Sequence, residues 1–298
     1  MGFVKTTKLI ELYCTVCQCN DSRYLEATQR QSNNCHPQFS DEELITVYLW
    51  GTMQRQFSLK AIYLYTKEHL DGWFPKLPSY QAFCRRAARL APAFRALCEL
   101  WMEGNLEQSP KGSDYVVDSC PIILAKQTRS DRAKVGRELC DKTHNASRKE
   151  WYYGVKIHLF GKLREKSLPL PCAVSISKAS LCDLWAAKQI MFDCKPISNG
   201  TLFADKAYLD ASWKDTLWTQ YHIRLLHPRK KAAYDTLASG DAVSAGISAR
   251  RQPIESFFHW IHYRTNIQDA STVRSLPGLF LHIFAKLAAA AVLISLYY

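Results

Sequence analysis

The sequence predicts a mixed α/β domain behind a helical N-terminal region. Apolar residues recur at helical spacing from Phe39 to about Gly104, and the polar stretch Gly104–Gly112 then interrupts them. Beyond it, short β-branched and aromatic runs alternate with helical segments. Three strands, a helix, a strand, a helix, a strand and closing helices describe a sheet of mixed direction flanked by helices. The expected division is 1–104 for the helical region and 105–298 for the α/β domain.

Each element has its own signal. Ser40-Asp41-Glu42-Glu43 has the form of a capping box, and Leu44, Val47, Tyr48 and Gly51 follow at helical spacing. Gln54–His69 reads as a second helix, Tyr80–Leu90 as a third after the Pro75–Ser79 turn, and Pro92–Met102 as a fourth. Arg85, Arg86 and Arg89 share one side of the third helix. That suits a helix-turn-helix reader of DNA, and equally a helical cap with a solvated basic face. In the second part Asp114–Asp118, Tyr152–Phe160 and Leu170–Ser177 read as strands. Asp183–Phe192 reads as a helix with Asp183 at its N-cap, and Thr201–Ala204 as a strand. Ala211–Tyr221 is a helix, Ile223–Leu226 a strand, and helices close the chain from about Gln252. Leu276–Tyr298 is apolar and long enough to cross a bilayer. His282 and Lys286 inside it, with apolar residues on every side, predict a buried helix and no membrane partner.

Composition narrows the function. Of 298 residues, 47% are hydrophobic and 22% charged, which excludes disorder as the main state. Lys and Arg number 39 against 27 Asp and Glu, and this net charge of +12 points to a polyanionic partner, nucleic acid first. The 11 cysteines and the lack of an apolar leader in Met1–Asn20 predict reduced thiols and a cytoplasmic protein. Cys14, Cys17, Cys19, Cys35 and His36 contain half of a zinc spacing with no second half, so the cysteines read as buried or incidental thiols.

Three acids stand out on this scheme. Asp118 ends the first strand, Asp205 ends the fourth, and Glu255 lies in the first turn of a late helix beside Arg250-Arg251. Acids at strand ends reach the rim of the sheet, where ligands of α/β proteins gather. Singly, each is more ordinarily a turn or cap residue. As an ordered set they form an all-oxygen anionic site suited to Mg²⁺ or Mn²⁺.

The segments around these acids resemble a known family. Val117-Asp118-Ser119-Cys120-Pro121, Gly154-Val155-Lys156-Ile157-His158, Phe203-Ala204-Asp205-Lys206-Ala207-Tyr208 and Arg250-Arg251-Gln252-Pro253-Ile254-Glu255-Ser256-Phe257-Phe258 look like the successive motifs of DDE transposases of bacterial insertion sequences. The subgroup they suggest is insertion-sequence family 982. The resemblance covers roughly 105–290 and implies a ribonuclease-H-like (retroviral-integrase-like) mixed sheet. It further implies that Asp118, Asp205 and Glu255 are catalytic and bind two Mg²⁺ (or Mn²⁺) ions, with Arg251 holding phosphate in an Arg-x-x-x-Glu element. The implied reaction is metal-dependent DNA cleavage and strand transfer at the terminal inverted repeats of an element. A homodimer or higher oligomer would pair two ends on double-stranded DNA, nucleoid-associated in a bacterial cytoplasm.

The chain also departs from the pattern. Ser248 stands where many relatives carry Tyr, His262 stands in place of a Lys, with Arg264 two residues later, and Ala207 replaces a common Gly. Only 49 residues separate Asp205 from Glu255, which excludes a large inserted β-domain. The expected DNA contacts are Lys134, Arg137, Lys156, Lys206, Arg250, Arg251, His262 and Arg264. Lys134 and Arg137 belong to a basic stretch between the first two strands, from Lys126 to Lys149, and Arg229-Lys230-Lys231 forms a second basic run. Two other readings stay open: a DNA-binding or regulatory descendant without transposition, and a metal-dependent nuclease.

Overall fold

The computed structural model describes residues 3–30, 36–107, 112–145, 148–194, 197–229 and 241–297. Lys230, Lys231 and Cys35 lie outside them. The chain divides into two compact units, one of Met1–Trp101 with Ile261–Tyr298, the other of Met102–Trp260. Where the sequence places 105–298 in one domain, Ile261–Tyr298 thus groups with the N-terminal helices. Of the expected Gly104–Gly112 linker, residues 104–107 continue a helix and 108–111 lie outside the described residues.

The first unit is helical: α1 (Phe3–Cys17), α2 (Ser22–Thr28), α3 (Asp41–Met53), α4 (Leu59–His69), α5 (Tyr80–Arg89) and α6 (Ala91–Glu107), which crosses into the second unit. The capping box starts α3 through local bonds alone. The Glu43 amide donates to Ser40 Oγ at 3.1 Å, and the Ser40 amide donates to Glu43 Oε2 at 2.6 Å. Arg86 and Arg89 of α5, with Arg30, converge on the buried carboxylate of Asp41. Burial alone would raise the pKa of Asp41, but hydrogen bonds from Arg30 and Arg86 hold it below the ordinary value. Two of the three α5 arginines therefore answer an internal acid; Arg85 alone stays fully on the solvent side.

The apolar C-terminal segment forms α10 (Leu276–Tyr297), packed on α3 and α5 and largely buried. Its polar residues find partners inside. Lys286 Nζ donates to the Asn266 carbonyl at 3.0 Å, and His282 Nε2 lies 2.8 Å from the Ile267 carbonyl. Burial lowers the Lys286 pKa to about 7.

The second unit is built on one six-stranded sheet: β1 (Ser113–Lys126), β2 (Asp141–Asn145), β3 (Glu150–Arg164), β4 (Ser167–Lys178), β5 (Gly200–Phe203) and β6 (Ile223–Leu226). The order is β2-β3-β1-β5-β6, with β4 also paired to β3. β1, β3 and β4 form an antiparallel half, while β1, β5 and β6 run parallel. β1 is the seam between the two halves. Helices α7 (Asp183–Cys194) and α8 (Ala211–Tyr221) supply Ala187, Ile190, Met191, Trp213 and Leu217 to a core shared with Val117, Phe160, Leu202 and Ala204. Asp210 caps α8, its carboxylate accepting from the Trp213 amide at 2.6 Å.

Three local expectations shift. β1 continues to Lys126, so Asp118 lies within the strand and not at its end. β2 occupies part of the stretch read as a basic loop. Helix α9 spans Ala242–Thr265, with Pro253 inside it and Glu255 mid-helix. Proline is most at home in a first turn, which makes Gln252 look like a start. Here Arg250 and Arg251 instead tie the preceding helical turns to β1.

Candidate active site

The parallel pairing of β1 with β5 ends at Val116 and Phe203. Each chain then runs two residues further, to Asp118 and to Asp205. Equivalent register on adjacent parallel strands, about 4.8 Å apart where they pair, brings both acids to the carboxyl side of that pairing. In each, the next residue's amide donates to Oδ1: Ser119 N at 2.8 Å for Asp118 and Lys206 N at 2.7 Å for Asp205. The latter bond caps a short 3-10 turn, Lys206–Tyr208.

Glu255 enters from α9. Arg251, one helical turn earlier, donates from Nη2 to Glu255 Oε1 at 2.5 Å and from Nη1 to Asp118 Oδ2 at 2.9 Å. Its neighbour Arg250 pairs with Asp114 at the start of β1 and lies over the Phe203 ring, 5.8 Å from its centroid. The two arginines thus fasten α9 to the seam strand, with Asp118 and Glu255 sharing one guanidinium.

The site is short of positive charge. Burial pushes the Asp118 carboxyl up to about 6, and the charges of Asp183 and Asp205 add to the rise, despite the opposing Ser119 amide and Arg251. Tyr208 is buried at 1% exposure, and its hydroxyl has no partner among the described residues. Burial, with Asp118, Asp183 and Asp205 nearby, keeps its phenol protonated.

Asp183 is the member that the sequence disguises. It reads as a helix cap, but it is the first residue of α7, and its carboxylate accepts from Lys156 Nζ at 2.7 Å. Lys156, one of the expected DNA contacts, also donates to the Leu181 carbonyl at 2.9 Å and so helps to hold the start of α7. His158 stands beside it, its Nδ1 3.9 Å from Asp183, with a pKa pushed down to about 4 by burial. Nothing in the spacing of Lys156 and His158 along β3 marks an acidic partner, so Asp183 becomes visible as part of this cluster only in three dimensions.

The remaining expected contacts are spread out. Lys206 is exposed beside Asp205. Lys134 and Arg137 are exposed in the segment between β1 and β2, which follows the end of β1 at Lys126. His262 and Arg264 fall in the last turn of α9, in the helical unit.

Three carboxylates and no sulfur or imidazole make a hard-cation donor set. The residues therefore fit a divalent ion in kind. Among the described residues no three His, Cys, Asp or Glu side chains already stand together around one point. Arg251 lies between two of the three.

A five-strand path with antiparallel and parallel halves meeting at an acid-bearing central strand, flanked by helices, is the ribonuclease-H-like fold. Residues 111–293, well over half of the chain, match the family model of the transposase DDE domain, and the chain belongs to that family. A search of curated proteins finds no match.

Proposed function

We propose that the chain is a DNA transposase that cuts and rejoins strands at the terminal inverted repeats of an insertion sequence, with Asp118, Asp205 and Glu255 as ligands of two divalent ions. The observation that carries this is the equivalent placement of Asp118 and Asp205 two residues past their last parallel pair, with Glu255 delivered to Asp118 through Arg251. Divalent ions bound there would supply Lewis-acid activation of a water or DNA 3′-hydroxyl and neutralise charge on the phosphate. The chain's own residues present carboxylate oxygens just past the end of the β1–β5 pairing, fix the direction of Asp118 and Asp205 through the Ser119 and Lys206 amides, and hold Arg250, Arg251 and Lys206 near them for phosphate. DNA is the substrate, and a dimer or higher oligomer would bring two ends together in the cytoplasm.

The test is a labelled duplex carrying the repeat ends that flank the native gene, incubated with Mg²⁺ or with EDTA. Nicking at the repeat boundary with Mg²⁺ alone is the expected result. Specific binding without cutting would favour a regulatory descendant, the reading that Ser248 supports, since its hydroxyl donates to the Ser244 carbonyl of its own helix at 2.9 Å. Cutting without strand transfer would leave a nuclease.

The basic stretch before β3 is part of this reading. Some of its charge is answered internally: Lys142 pairs with Asp131 at 2.5 Å and Lys126 with Glu150 at 3.5 Å. Lys134 and Arg137 are the exposed residues we assign to flanking duplex. Replacing both with Gln should weaken duplex binding and lower the slope of log K against log salt by about 1.8, two phosphate contacts' worth. An unchanged slope in a filter-binding or anisotropy titration would return them to ordinary solvated residues.

A further inference from the structure

We infer that Arg251 is a charge latch: without metal its guanidinium takes the cation's place between Asp118 and Glu255, and a divalent ion binds only by displacing it. This rests on the metal-site reading above and adds to it. The geometry is specific. One guanidinium reaches Asp118 through Nη1 at 2.9 Å and Glu255 through Nη2 at 2.5 Å. The Arg251 side chain is 16% exposed and that of Asp118 is 21% exposed, whereas Glu255 is 54% exposed. The Asp118 arm is therefore the strong one, since an exposed pair gains little and a shielded charge-assisted bond gains more.

The consequence is an exchange of partners. A divalent ion offers Asp118 and Glu255 a better counter-charge than one arginine, and a released guanidinium carries its fork of donors to the nearest anion, which on DNA is a phosphate. Metal and DNA then favour each other's binding, and by linkage the coupling is equal in both directions. The chain would thus keep its acids neutralised until both are present.

The test is titration of the full chain with Mn²⁺, followed by electron paramagnetic resonance of the free ion, at pH 8 and without DNA. Arg251→Met should bind Mn²⁺ about tenfold more tightly than the wild type, because the competing cation is gone while the ligands remain. Arg251→Lys, which keeps the charge but loses the fork, should tighten binding about threefold, and it decides the matter if the methionine variant does not fold. Unchanged or weaker binding in the folded variant overturns the latch. Asp118→Asn serves as the control for the site itself. If it leaves Mn²⁺ binding intact, the metal-site reading fails, and the latch with it. If it removes Mn²⁺ binding while Arg251→Met matches the wild type, only the latch fails.

Discussion

Asp118→Asn should lower metal-dependent strand cleavage by about a thousandfold, leave duplex binding within about twofold, and stabilise the metal-free protein. The first effect amounts to about 4 kcal/mol of transition-state stabilisation, expected when the carboxylate on the central strand can no longer ligate a cation. The second follows because duplex affinity is mainly phosphate electrostatics, to which one internal acid contributes little. The third is the less usual result. Burial first, then the charges of Asp183 and Asp205, raise the Asp118 pKa from an ordinary 3.8 to about 6. A raised carboxyl means that the folded state prefers the proton. The stability from this group is fully present below about pH 4 and is lost as the pH rises through about 6. At pH 7.5 the wild type carries an ionised group whose burial costs the fold about 1–3 kcal/mol even with Arg251 beside it. Asparagine carries no such charge, its amide oxygen can still accept from Arg251, and Glu255 remains as the counter-charge of that guanidinium. Thermal unfolding in EDTA should show a higher midpoint for Asp118→Asn at pH 7.5 and convergence of the two proteins near pH 4. Equal midpoints at both pH values would show that Asp118 is solvated and not placed as described.

Gly154→Ala should strongly destabilise the α/β unit. A Cβ at this position would lie 2.0 Å from the Ile122 carbonyl oxygen and 3.1 Å from its carbon, both backbone atoms of the neighbouring strand. Gly154 pairs with Ile123 just before a register shift in the β1–β3 ladder, so neither strand can withdraw without breaking the pairing that carries Asp118. The loss expected is about 3–5 kcal/mol, a large part of a domain's whole stability. Gly246→Ala is the matched control: it lies in α9 with nothing within 4 Å of a new Cβ. Alanine there should be neutral or stabilise by up to about 1 kcal/mol, through helix propensity. Chemical denaturation of the two variants, read by circular dichroism, compares them directly. A Gly154→Ala protein that unfolds with the wild type would contradict the register of β1 on β3.

Local chemistry explains why so much of the architecture can be read before folding. The Ser40–Glu43 capping box and the Asp210 cap of α8 each close within four residues, so neither needs a distant partner. The short strands β5 and β6 announce themselves by apolar runs between polar turns, and their borders fall within a residue of the expected ones. β1 was harder to bound. Ser119 and Pro121 interrupt its apolar pattern, and it stays extended because β3 pairs with it residue by residue from Tyr115 onward. Pro253 misleads in the opposite way. It looks like a helix start, yet two ion pairs to β1, Arg250 with Asp114 and Arg251 with Asp118, hold the turns before it.

The same division runs through the site. Sequence alone determined the alternation of strands and helices, the excess of positive charge, and the ordered acids Asp118, Asp205 and Glu255 within motifs of a recognisable family. Those depend on periodicity, composition and neighbours along the chain. Only the tertiary structure decided that Asp183 joins the charge around Asp118 and that Lys156 is spent on it. It also set Arg86 and Arg89 on Asp41, and Arg251 between two of the acids. These are pairings across 27 to 133 positions of chain, and no local spacing encodes them. They exist because burial makes every charge seek an opposite one, and which charges are buried together is known only once the strands have taken their register.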